Sequence, residues 1–382
     1  MLYYALILHS ALLIINYMKN PFSKTIPDEN FELSMKRYEA FFNGEVYDRP
    51  PVCFTFWNET PELRAQRPED KTYTSHRERW LDVAHRAKWA DYHIGCTRFY
   101  ADALPTYFPN LGPEIFSAIC GCDYYFGPET TWTYPNIIDW ERDMDKAVIN
   151  RKNEYFVALD NFIRELLKYS KDKFAVGFTD FHAGADHLAA LRDPEVLCAD
   201  LYDYPEYVKA KLESSYEEYH KLYEYFYNMT TLEGEPTTGW INLVVNGRYN
   251  VTQNDFSCMI STKMFEEFFL GGLIEECEKL DRCIYHLDGP NALRHLDMIL
   301  EIKKLNAVQW VCGAGNEGFS RWIDVYKKIQ KAHKGILLYA GVNELDAVFS
   351  NLAPDGVWFG SVGGVSTPAE ADLVIERIKN WK

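Results

Sequence analysis

His286 and Asp288, in the run Tyr285-His-Leu-Asp-Gly-Pro290, carry the clearest chemical signal in the sequence. Residues two apart on an extended chain point to the same side, so an imidazole and a carboxylate there can share a proton or ligate a metal. The competing reading is a strand-end turn with Asp288-Gly289 as turn formers. Asp180 and His182, in Thr179-Asp-Phe-His182, repeat the spacing. Both pairs together would set acidic and imidazole groups around one mouth, unless Asp180 merely caps a helix. The expected catalytic set is therefore His286, Asp288, Asp180 and His182. Trp57, Asn58, Asn246, Gln309 and Trp310 also follow apolar runs directly, and Asn343 does so further along. Trp57, Trp132, Trp240 and Trp310 fall in loop or strand-end positions where a flat ligand or a sugar face can stack. Taken singly, each tryptophan is more often core. The expected substrate-binding set is Trp57, Asn58, Trp132, Trp240, Asn246, Gln309 and Trp310.

These residues meet only if the elements bring them together. From Pro50 onward, strand-like apolar runs alternate with amphipathic helical runs, the pattern of βα units around a parallel sheet. The sequence predicts strands at 50–57, 174–178, 241–245, 283–287, 307–311, 335–339 and 356–359. It predicts helices at 75–90, 146–169, 205–227, 264–280, 293–302, 322–333, 343–352 and 368–381. The stretch 98–140, dense in Gly, Pro and aromatics, is too long for a simple loop and is expected to carry function. In a (β/α)8 barrel, reacting groups gather at the carboxyl ends of the strands, which is the rule that selects the residues above.

A chain of 382 residues, 47% hydrophobic, can form one such barrel as a single domain. Its net charge of -16 repels phosphate backbones and anionic lipid, which argues against nucleic acid or a membrane surface as partner. The nine cysteines show no CxxC pairing, which fits a reducing cytoplasm. Cys120 and Cys122 form a CxC within what otherwise reads as packed structure. The apolar run Leu2–Tyr17 falls short of the roughly 18 residues that span a bilayer, and its first Lys comes after it rather than before. Residues 1–17 are thus expected to be a non-structural leader, with the domain occupying 18–382.

Several segments resemble uroporphyrinogen decarboxylase-like proteins. They are Glu32-Leu-Ser-Met-Lys-Arg-Tyr-Glu-Ala-Phe-Phe-Asn-Gly-Glu-Val-Tyr-Asp-Arg-Pro-Pro-Val52, Asn110-Leu-Gly-Pro113, Thr131-Trp132, Asp255-Phe-Ser-Cys-Met-Ile-Ser-Thr-Lys-Met-Phe-Glu-Glu-Phe-Phe269 and Thr367-Pro368. The resemblance implies a uroporphyrinogen decarboxylase-type (β/α)8 barrel and, as a further expectation, a homodimer. That superfamily includes decarboxylases and methyltransferases that exchange methyl groups with corrinoid proteins, so the fold leaves the reaction open.

The decarboxylases carry an Arg-rich segment after the first strand, where this chain reads Phe54-Thr-Phe-Trp-Asn-Glu59. The zinc-dependent methyltransferases carry His-x-Cys where this chain has His286-Leu-Asp288, and a second Cys near the position of Gly363-Gly364. Asp288 thus stands in place of a thiolate. With Cys312 as the only nearby sulfur, the set His286, Asp288 and Cys312 suits zinc poorly, and no bound zinc is expected. The leading expectation is a methyltransferase-like enzyme that works with a corrinoid on a partner protein, or another small methyl donor or acceptor, through His286 and Asp288. The alternatives are decarboxylation of a porphyrinogen-like or other carboxylated substrate, and hydrolysis or lysis of a carbohydrate by paired carboxylates.

Overall fold

Apolar residues recur at helical spacing from Phe31 to Phe42, and in the computed structural model, which describes residues 19–232 and 234–382, they form the buried face of helix α1 (Asp28–Phe42). The expected leader, 1–17, lies outside the described residues. Strand β1 (Cys53–Trp57) follows and pairs antiparallel with β2 (Thr97–Ala101) after helix α2 (Val83–Gly95). Next come β3 (Thr106–Tyr107) and an antiparallel hairpin of β4 (Asp123–Phe126) and β5 (Thr131–Tyr134). Helix α3 (Glu154–Ser170) leads to β6 (Ala175–Val176), which pairs parallel with β3. Helices α4 (Ala185–Arg192) and α5 (Pro205–Thr230) complete the first half.

The second half is a regular βα repeat: β7 (Tyr249–Gln253), α6 (Leu270–Lys279), β8 (Arg282–Asp288), β9 (Ala307–Val311), α7 (Ile323–Lys331), β10 (Gly335–Gly341), α8 (Leu345–Asn351), β11 (Val357–Gly363) and α9 (Pro368–Lys379). Its strands form a five-stranded parallel sheet in the order β11-β10-β9-β8-β7. Both faces of such a sheet are covered, and accordingly all five residues of β9 except Val311 are buried. Thr367 caps α9 in a reciprocal box with Glu370.

The architecture is mixed α/β with a parallel sheet. Ladder pairing is continuous over these five strands, so the expected closed barrel of eight strands is not shown by the pairing. Beyond β11 the sheet is carried on by a single parallel bridge from Val52 to Phe359, whose N–H donates to the Pro51 carbonyl at 2.9 Å. Near β6, the Phe178 N–H donates to the Thr238 carbonyl at 3.2 Å.

Two predicted strands need correction. The first was expected to run as a buried parallel strand to Trp57, but only Val52 joins the sheet. Beyond it, burial alternates from Phe54 to an exposed Thr55, which is the habit of a ribbon with one wet face, and the partner is β2. The run Ile241-Asn-Leu-Val-Val245 is mostly buried but irregular, tied only by an antiparallel bridge between Thr237 and Val245. The strand that enters the sheet there is β7, eight residues later.

One buried charge anchors the α1 end. The Asp102 carboxylate, fully buried, accepts from Arg37 at 2.8 Å, Arg49 at 2.5 Å, the Val52 N–H at 2.9 Å and Ser34 at 3.2 Å. The Tyr38 hydroxyl donates to the Asp102 carbonyl. Among the described residues no helix is long and apolar enough to cross a membrane.

Candidate functional site

Parallel pairing puts Gln253 of β7, His286 of β8 and Gln309 of β9 side by side, since Gln253 is opposite His286 and His286 opposite Gln309. Side chains at one level of neighbouring strands face the same way. Gln309 Oε1 lies 2.7 Å from His286 Nδ1, and Gln309 Nε2 donates to the Tyr339 hydroxyl at 3.3 Å. An amide that donates through nitrogen accepts through oxygen, so Nδ1 is the His286 nitrogen that donates to Gln309, and Nε2 is the one left facing the site. The Trp240 ring meets the imidazole edge-on, 5.2 Å between centroids at 79°.

His286 Nε2 faces Asp255 at 4.0 Å. Asp255, His286 and Asp288 each present one ligand atom, and these atoms all lie within 4.8 Å of one another. The arrangement follows from strand ends: His286 and Asp288 share a face of β8, and Asp255 lies two residues beyond β7. Asp186, at the start of α4, holds Asp255 in place by accepting the Asp255 N–H at 3.0 Å and the Phe256 N–H at 2.8 Å. Burial, then repulsion from Asp186, and further from Asp288 and Asp180, pushes the Asp255 carboxyl up to about 8, against the pull of His182.

Asp180 forms an ion pair with the buried His182. Burial alone would lower the imidazole's pKa, but the Asp180 carboxylate outweighs it, helped by Asp186 and Asp255, and raises it to about 9. Near neutrality, His182 is therefore charged while Asp255 keeps its proton. Behind these groups, buried Glu276 is raised to about 7 by desolvation, against a hydrogen bond from Tyr219 at 2.8 Å. Asn250 donates to the same Tyr219 oxygen at 2.8 Å.

Of the residues expected from sequence, the structure brings together Asp180, His182, His286, Asp288, Trp240 and Gln309. It places the others elsewhere. Trp57 is 59% exposed and packs against Tyr92 and His93, and the neighbouring Asn58 bonds through its N–H to Cys96. Both follow β1 out of the sheet. Trp132 stacks on Tyr125 at 4.1 Å on the β4–β5 hairpin. Asn246 is exposed in the bend that enters β7, at the amino end rather than the carboxyl end. Trp310, next to Gln309, points to the opposite side by strand alternation and packs on Trp322 at 5.0 Å. Asn343 sits in a short helical turn after β10. Cys312 is outside the ligand cluster, where Asp255 takes the third place.

The sequence reading missed Asp255, Asp186, Gln253 and Tyr339. Asp255 had a usable signal, the same strand-end rule, once Tyr249-Asn-Val-Thr-Gln253 is taken as the strand. One imidazole with two carboxylates is an oxygen-rich set that suits a hard or borderline divalent cation better than a thiolate site would. Gln309 supplies the outer hydrogen bond that fixes the ligating nitrogen.

No family model matches the chain, and no curated protein matches it. Among solved structures it is similar in fold to a methyltransferase from Methanosarcina mazei, with a TM-score of 0.54 at 12% identity, covering 90% of this chain and 97% of that one.

Proposed function

We propose that this protein is an enzyme of the methyl-transfer type whose reacting centre is Asp255, His286 and Asp288. The observation that carries the reading is the convergence of three ligand atoms within 4.8 Å at the carboxyl ends of adjacent parallel strands. The fold similarity to a methyltransferase over 90% of the chain, and the segments that resemble a superfamily containing corrinoid-linked methyltransferases, point the same way.

In this reading a nucleophilic acceptor, X–H, sits against the centre. Asp255 in its ionised form takes the proton as X attacks the methyl carbon, and the bond from carbon to the donor breaks with its electron pair leaving on the donor. His286 Nε2 and Asp288 orient the acceptor, and protonated His182 offsets negative charge that builds in the pocket. A divalent cation held by Asp255, His286 and Asp288 would add Lewis acidity toward the acceptor atom. The methyl donor or its counterpart is a corrinoid presented by a partner protein.

The test is methyl exchange with free cob(I)alamin, read by its conversion to methylcobalamin, across a panel of methylated thiols, amines and ethers, with and without manganese or zinc. We expect turnover with at least one member and a loss of roughly a hundredfold in His286→Ala and Asp288→Asn. A folded protein that turns over none of the panel, or variants as active as the parent, would sink the reading.

A further inference from the structure

A cavity of about 410 Å³ opens between β1, β10, β11 and the Trp240 loop. Its wall includes Phe54, Phe56, Phe99, Trp240, Tyr339 and Trp358, and its polar positions are Thr55, Thr106, Asn242 and Ser361. No Asp, Glu, Lys, Arg or His lines it. A carboxylate, phosphate or ammonium entering here would give up water without gaining a counter-charge, which favours neutral ligands over charged ones. Phe56, Phe99, Trp240 and Tyr339 are only partly covered and can offer a face or an edge to a flat ring, whereas Trp358 is packed on Tyr38 and Phe41.

Two of the lining residues connect this cavity to the reacting centre. Trp240 meets His286 edge-on, and the Tyr339 hydroxyl accepts from Gln309, which in turn holds His286. A ring seated in the cavity is therefore linked to His286 through the Trp240 ring on one side and the Tyr339–Gln309 pair on the other. The volume passes the roughly 300 Å³ at which small-molecule pockets start and is more than twice the roughly 150 Å³ that holds one benzene, so a substituted ring fits with room to spare.

We propose that the cavity binds an uncharged aromatic compound, with a hydroxyl or ether oxygen directed toward Tyr339. The assignment rests on the methyl-transfer reading only for what happens next. There the phenol oxygen would take the methyl group as the carbon–donor bond breaks with its electron pair on the donor, the phenol proton passing to water, and a methyl ether is the product of that step.

Binding is tested apart from turnover, by calorimetry with phenol and anisole against benzoate, benzylamine and glucose. Phenol and anisole are expected to bind at least about tenfold more tightly than the two charged analogues and glucose. Charged analogues that bind as well, a preference for glucose, or no binding by either neutral arene overturns the assignment. Ser361 is exposed on the cavity wall, so Ser361→Lys and Ser361→Trp should fold normally, one adding a charge and the other filling space. Both should weaken phenol binding at least about tenfold, whereas Trp132→Ala, on the distant hairpin, should leave it unchanged. Full phenol binding in both Ser361 variants would place the ligand elsewhere and overturn the assignment. Phenol binding without any methyl exchange would sink the methyl-transfer reading alone, and methyl exchange on a charged substrate without arene binding would sink the cavity assignment alone.

Discussion

At the scale of single residues, the site turns on which nitrogen of His286 is free. Gln309 decides this by accepting from Nδ1, a constraint of the kind whose loss typically costs 10- to 100-fold in a metal or acid/base site. Gln309→Leu should therefore lower kcat by about that factor with little change in KM or melting temperature, and Gln309→Glu, which keeps an acceptor oxygen, should recover part of it. Equal losses in kcat and in folded protein would make Gln309 a packing residue only. The Asp255 carboxyl offers a second test, because after burial the repulsion from Asp186 does most to raise its pKa. In the direction that methylates X–H, with methylcobalamin as donor, a rate that needs ionised Asp255 should rise with pH through about 8, and Asp186→Asn should move that rise to lower pH. A limb that stays in place would remove Asp255 from the role of base. His286 and Asp288 were legible because a two-residue period survives any small error in strand ends. Asp255 was not, because its strand, Tyr249-Asn-Val-Thr-Gln253, carries polar residues whose partners lie inside the protein: Asn250 donates to Tyr219, and buried Thr252 approaches the Ile284 carbonyl at 3.5 Å. A buried polar strand looks like a loop to a reading based on apolar runs.

Among elements, the strands of the C-terminal half were readable, whereas in the N-terminal half the helix at 205–227 and the strand at 174–178 were found but β1 and its partners were not, and the difference is local versus distant pairing. Strands 283–287, 307–311, 335–339 and 356–359 lie within β8 to β11 or start one residue early, because each is an apolar run whose neighbours in the sheet are also its neighbours in sequence. β1 looked the same but is diverted by a partner some forty residues on, and the segment 98–140 resolves into β2, β3 and the β4–β5 hairpin that carries Trp132 away from the site. What fixes β1 at its start is Asp102. It links the Arg37 side of α1, Arg49 and the Val52 N–H, with the carboxylate fully buried. Removing one partner of a buried ionic cluster leaves the others unpaired, at a cost of about 3–5 kcal/mol. Asp102→Ala should therefore lower stability by that amount in denaturant unfolding. A loss below about 1 kcal/mol would mean that the apolar packing of Tyr38, Phe41 and Trp358 holds α1 unaided.

For the whole molecule, the raised pKa values share a sign. His182 goes from 6.5 to about 9, Asp255 from 3.8 to about 8 and Glu276 from 4.5 to about 7. In each window the folded state holds a proton that the unfolded state has released, so stability falls as pH rises. The contribution is complete at low pH and lost by about pH 9, where the last of the three, His182, reaches its folded value. Melting temperature should thus decline between about pH 6 and pH 9, and Asp180→Asn should flatten the upper part of that decline. A cation at Asp255, His286 and Asp288 would work against this trend, because it binds the ionised carboxylate of Asp255 and displaces the proton that Asp255 otherwise retains. Manganese at fixed excess should then raise the melting temperature more at about pH 8 than at about pH 6, by an amount that grows with the logarithm of its concentration. Asp288→Asn should abolish that increment while leaving the metal-free decline in place. If manganese and zinc stabilise equally at both pH values, or stabilise Asp288→Asn as well as the parent, the three groups are not a cation site and act through their protons alone.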